Sequence, residues 1–116
     1  MTRPIITRTR AEVFQLWIDA LRSGNYQQTQ YCLKTDKGFC CLGVLCDLAR
    51  QDGGPAWNVL YSAKDGQLPN PILRFMGLRD FEQNHLAAMN DTACATFSQI
   101  SDNIEQLIMP KALARP

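Results

Sequence analysis

The stretch FCCLGVLCDLA, residues 39–49, constrains the fold more than any other segment of the chain. Every residue in it except Asp47 is apolar or glycine, so it belongs in an interior. Leu42, Leu45, Cys46 and Ala49 recur at helical spacing, while Asp47 and Arg50 fall on other sides. The pattern predicts a helix from Gly43 to Arg50, entered from a short strand that ends in the paired cysteines. Glycine at that junction predicts a close approach of the helix to the strand, which a Cβ would block.

Helices are announced elsewhere by caps and stripes. Thr9 with Glu12 reads as a capping box, followed by Phe14, Trp17, Ile18 and Leu21 on one face and stopped at Ser23-Gly24. Asn70-Pro71 opens a second helix, and Gly77-Leu78 closes it in the manner of a Schellman cap. Asp80 with Gln83 is expected to cap a third, carrying Phe81, Leu86 and Met89. Thr96 with Gln99 is expected to cap the last, whose buried stripe is Phe97, Ile100, Ile104, Leu107 and Ile108 and which should stop at Pro110.

Between the first helix and the cysteines, YQQTQYCL and FCCL read as strands joined by Thr35-Asp36-Lys37-Gly38, a turn whose glycine would take the positive φ of a bulge. Residues 52–69 are irregular: AWNVLY could form a short strand, and the segment, with Trp57, is a candidate binding loop. The expected fold class is α+β, a small antiparallel hairpin or sheet packed against four to five helices. The division that follows is an N-terminal arm at 1–8, one globular domain at 9–109 and a C-terminal tail at 110–116.

The 116 residues are enough for one domain with a real core. Twelve basic against eleven acidic residues leave +1, so no whole-molecule field draws the chain to nucleic acid or an anionic membrane. The N-terminus has charges and a proline where a leader would need an apolar run, and no later stretch has the length of a membrane span. The expected location is the cytoplasm, that of a host cell, where the five cysteines are expected to remain thiols.

Those cysteines admit three roles. Zinc needs four tetrahedral ligands, commonly from C-x2-4-C turns; Cys40-Cys41 adjacent, with Cys46 beyond, is not that arrangement, although Cys32, Cys94 and His85 could add ligands through the fold. A nucleophile is the second role: Cys41 stands where strand gives way to helix, a place that can favour thiolate, and His85, the one histidine, could be its base. Third, Cys40, Cys41 and Cys46 serve as small hydrophobes filling the junction beside Gly43. The third role is favoured, with no metal and no cofactor expected.

LRSGNYQQTQYCL, GFCCLGVLCDLA, LPNPILRFMGL, LAAMND and TFSQISDNIEQL resemble, segment by segment over residues 17–107, a family of small phage and prophage proteins of unknown function. The block from Gly38 to Ala49 is the most specific part. The resemblance implies a phage origin and brings no reaction, ligand or site residue with it. Ser101 stands where that family often has alanine.

The remaining binding candidates are surface tracts. The arginines Arg3, Arg8 and Arg10 with Arg22 could touch phosphates, but the acidic second half of the chain disfavours a nucleic-acid face. Asn25 to Tyr31 offers two aromatic rings among neutral hydrogen-bonding groups, and the polar pair Asn90-Asp91 sits within an apolar stretch. Arg22, Tyr26, Gln28, Trp57, Asn90 and Asp91 are therefore the candidate ligand-binding residues. The expected function is that of a non-catalytic accessory protein that binds a host protein or a small nucleotide signal and antagonises a host defence or regulatory component. Membrane association is not expected, and a homo-oligomer is compatible with the sequence. The alternatives are a thiol-dependent hydrolase or transferase using Cys41 with His85, and a weak nucleic-acid binder through the N-terminal arginines.

Overall fold

The computed structural model describes residues 8–52 and 66–116. The expected strand at AWNVLY and the candidate Trp57 lie outside the described residues, as does Arg3. In chain order the elements are α1 (Arg10–Arg22), β1 (Lys34–Thr35), β2 (Gly38–Phe39), α2 (Cys41–Asp52), α3 (Asn70–Met76), α4 (Asp80–Asp91) and α5 (Phe97–Asn103). The last continues through a π-helical turn at Ile104–Ile108 into α6 (Met109–Leu113). The fold class is α+β: a two-stranded antiparallel hairpin among helices.

Thr9 and Glu12 form the expected box, with Thr9 Oγ1 accepting from Glu12 N at 3.1 Å and Glu12 Oε1 from Thr9 N at 2.9 Å. Val13, Phe14, Trp17, Ile18 and Leu21 form the buried face of α1. Thr96 and Gln99 make the same reciprocal pair at α5. The α3 terminus has Gly77 at φ +68°, its N–H reaching Arg74 O while Leu78 N reaches Leu73 O, which is the Schellman pattern. The α4 cap lies one residue earlier than expected. Arg79 precedes the helix and Glu82 Oε1 accepts from its N–H, which frees Gln83 to accept from Leu68 N at 3.0 Å.

Gly38 pairs directly with Thr35 and its φ is not positive, so the expected bulge is absent. Glycine is needed for proximity instead: a Cβ there would lie 2.1 Å from Gln27 O. The long first strand expected at YQQTQYCL is replaced by one parallel bridge, Gln28 to Phe39, and a chain reversal at Tyr31, φ 72°. Side chains from α4 take the backbone groups that a ladder would have used. Asn90 Nδ2 donates to Thr29 O at 2.8 Å, and Asp91 Oδ1 accepts from Tyr31 N at 2.9 Å.

The final helix does not stop at Pro110. Proline lacks an N–H and crowds the carbonyl four residues back, and the chain carries the helix past it by widening the preceding turn, with Met109 N bonded to Ile104 O. The widened turn also displaces Leu107 from the stripe expected to be buried, leaving it 56% exposed while Ile108 and Ala112 continue inward. Arg10 then ties down the C-terminal segment, donating to Phe75 O, Ala112 O, Arg115 O and Pro116 O at 2.6–3.2 Å. Arg115 in turn pairs with the buried carboxylate of Glu82.

Candidate functional site

Cys40 stands immediately before α2, and its Sγ accepts from Gly43 N at 3.4 Å, the reach of a side chain capping the helix start. Cys41, the first residue of α2, has no exposed surface; its thiol points to Leu86 O at 3.6 Å and its carbonyl accepts from Trp17 Nε1 at 2.9 Å. Burial raises all three core thiols: Cys40 upward, Cys41 well above the ordinary range, and Cys46 to about 12. The helix terminus expected to favour thiolate is outweighed by desolvation.

His85 is exposed on α4 and lines a different cleft, so the structure does not bring Cys41 and His85 into a pair. Cys32 is half-buried and Cys94 exposed, and no group of three or more His, Cys, Asp or Glu among the described residues is placed to hold a metal.

Gln28, Asn90 and Asp91 are brought together. Asn90, fully buried, is the hub: Oδ1 accepts from Gln28 Nε2 at 2.9 Å and from Cys41 N at 3.2 Å, while Nδ2 donates to Thr29 O and Asp91 Oδ1. Gln28 Nε2 also donates to Ala95 O at 2.8 Å. The capacity that marked these residues as ligand-binding is spent on joining the Gln27–Tyr31 segment to α2 and α4.

Arg22 is likewise occupied. It donates to Ser101 Oγ at 3.0 Å and bridges Asp102 and Glu105, whose hydrogen bonds raise its pKa, so it clasps α1 to α5 and the π turn. Buried Ser101 is thus the hydroxyl that receives Arg22. Arg10, considered for phosphate contact, is the C-terminal tie described above.

Tyr26 opens on a cleft. With Phe39 and Leu48 it forms one wall of a cavity of about 610 Å³, facing Leu16, Asp19 and Ala20 of α1 and Ser23 just past its end, with Asp47 and Asn25 completing it. Tyr26 OH donates to Asp47 Oδ2 at 2.6 Å, and its ring meets Phe39 edge-on at 5.1 Å between centroids. Lys34 Nζ lies 5.3 Å from the Phe39 ring centre. Asp19 is exposed on the rim and accepts from Gln15 Nε2 at 2.9 Å; Asp47 is buried in the wall.

The cleft therefore combines two carboxylates, two rings and the half-open aliphatic edges of Leu16 and Leu48, with no basic residue among its described lining. It can hold a cation whose stem is apolar. The residues missed from sequence are Asp19, Phe39 and Asp47. The signal available was Asp47, the one charged residue in an otherwise apolar run, which helical spacing placed only off the apolar side.

The chain belongs to a family described as a domain of unknown function (DUF8296), whose model matches residues 9–74. No curated protein and no solved structure matches it.

Proposed function

We propose that this protein is a non-catalytic, phage-encoded accessory protein that binds a protein of the host cytoplasm, a defence or regulatory component, and takes a basic side chain of that partner into the α1–α2 cleft. The observation that carries this reading is the cleft's chemistry: Asp19 and Asp47 beside Tyr26 and Phe39, in a volume within the roughly 300–1,000 Å³ of ligand pockets. An arginine or lysine brings a charge for the exposed Asp19, with the buried, Tyr26-bound Asp47 adding to the negative field behind it, and a stem for the rings. A nucleotide would bring phosphates against the same carboxylates, so of the two ligand classes compatible with the sequence the cleft favours a protein surface. The phage origin rests on the sequence resemblance alone. The thiol-enzyme reading loses support from the burial of Cys41, which leaves it no exposed surface and raises its thiol well above the ordinary range.

The test uses a photo-reactive residue in place of Ser23, on the exposed rim, in full-length protein mixed with bacterial lysate. A light-dependent adduct with one host protein, lost on Asp19→Lys, is expected. No adduct, or one indifferent to Asp19→Lys, refutes the assignment. A bound nucleotide seen by native mass spectrometry selects the other ligand class.

A further inference from the structure

We propose that a second cleft, between α4 and the π turn leading into α6, docks an acidic segment of a partner protein, with an apolar side chain of that segment lying against Phe81 and Leu107. The cleft encloses about 240 Å³. Phe81 is 63% exposed and Leu107 56%, and these two large apolar groups line the same cavity although their helices bury other faces. Scattered exposed hydrophobes need no explanation, but two converging on one concavity do. Leu107 is there for a specific reason: regular α-helical spacing from Ile100 and Ile104 would carry it inward, and the π turn turns it out to the rim. Such turns are found frequently at functional sites.

Charge decides the occupant. Lys111 and His85 line the cleft and make no hydrogen bond or ion pair with the described residues, whereas Glu82, the carboxylate present, is taken by Arg115 and the Arg79 amide. What faces an incoming ligand, beside the Asn103 amide, is the ammonium group of Lys111, whose field also reaches buried Glu82, and an imidazole N–H between two apolar flanks, which complements a peptide carrying a carboxylate next to a large apolar side chain. This chemistry is opposite in sign to that of the α1–α2 cleft and does not depend on it.

The experiment is a two-dimensional NMR titration of the full-length, nitrogen-15-labelled protein with two capped tetrapeptides, acetyl-Glu-Leu-Asp-Phe-amide and acetyl-Lys-Leu-Lys-Phe-amide. The acidic peptide should shift amides of α4 and of residues 103–111 and bind at least about tenfold more tightly than the basic one, a margin reduced by added salt. Lys111→Glu and Leu107→Ser, both at exposed positions so that the fold is kept and checked by circular dichroism, should each weaken it. Equal binding of the two peptides, shifts centred on Asp19 and Asp47, no shifts from either peptide, or indifference to Lys111→Glu would each overturn the proposal. The readout is separate from the Ser23 adduct, so either site can fail alone.

Discussion

Replacing Gly43 by alanine sets two physical effects of opposite sign against each other. In a helix, alanine is favoured over glycine by about 1 kcal/mol, so on propensity the variant gains stability. Packing predicts the reverse. The new Cβ would stand 1.7 Å from Leu33 O, 2.6 Å from Leu33 C and 3.1 Å from Leu33 Cα. Ordinary contact requires about 3.5 Å, so α2 and the Leu33 backbone must separate by about 1.8 Å.

The surroundings resist that separation. Leu33 and Leu42 are fully buried, Cys40 N is bonded to Leu33 O at 3.3 Å, and the start of α2 is held by Trp17 Nε1 on one peptide group and Asn90 Oδ1 on another. Overpacking of a tight interior costs about 1–3 kcal/mol, and each hydrogen bond lost adds about 1 kcal/mol. With propensity subtracted, Gly43→Ala should lose about 3 kcal/mol, a fall in Tm of about 10–20 °C for a chain of this size. Guanidinium unfolding followed by circular dichroism, with thermal melts alongside, measures it. Gly24 is the control: it has φ +78° with nothing within 4 Å of a Cβ, so alanine there should cost only about 1 kcal/mol of backbone strain. A Gly43→Ala protein as stable as the parent, or more so, would show that the Leu33 contact does not set the junction.

Native protein treated with a thiol reagent at neutral pH should be modified at Cys94 and then Cys32, while Cys40, Cys41 and Cys46 react only on unfolding; peptide mass mapping that finds Cys41 labelled early would contradict its burial. Asn90→Ala strips partners from Cys41 N and Thr29 O together and should cost about 2–4 kcal/mol in denaturant midpoint analysis, whereas an exposed Asn84→Ala should be nearly neutral. Burial alone would raise Glu82, but its bonds with Arg115 and the Arg79 amide outweigh this and hold its pKa below 4.5. Its stabilising contribution is therefore complete above that value and is lost as pH falls through the lowered folded pKa. Glu82→Gln should flatten the fall of Tm with acidification below about pH 5; an unchanged slope would remove Glu82 from the acid response.

What the sequence made legible was local. Thr9 with Glu12, Thr96 with Gln99 and Gly77 with Leu78 act within one or two turns of their own position, and residue type plus spacing suffices to read them. Gly43 was legible too, because glycine within an apolar run requires a steric reason. The failures all involve partners distant in sequence. Asn90 near the end of a helix reads as a terminus signal; nothing near it reveals that Thr29, Gln28 and Cys41 will converge on it. The stretch 26–33 lacks helical period and so suggests a strand, but beyond its bridge to Phe39 the partners of Thr29 O and Tyr31 N are α4 side chains about sixty residues on. Arg10 and Arg22 looked available because their acceptors, carbonyls at the C-terminus and carboxylates at 102 and 105, are found only by folding. Pro110 was read by its prohibition, and the π turn is the way around it.

The family match and the two clefts divide the molecule in the same way. Every residue of the acidic cleft, from Leu16 to Leu48, lies inside the matched segment 9–74, and every residue of the basic cleft, from Phe81 to Lys111, lies outside it. The matched segment does not complete its own interior: the buried face of α1 needs α5, and the N-terminus of α2 takes a bond from Asn90 on α4. The C-terminal helices therefore complete the core that the matched segment begins. On the proposals above, the surface that would take a basic side chain is built by α1, the hairpin and α2 within the matched segment, while the surface around Leu107 and Lys111 that would take an acidic one is built beyond it, where the π turn departs from regular helix.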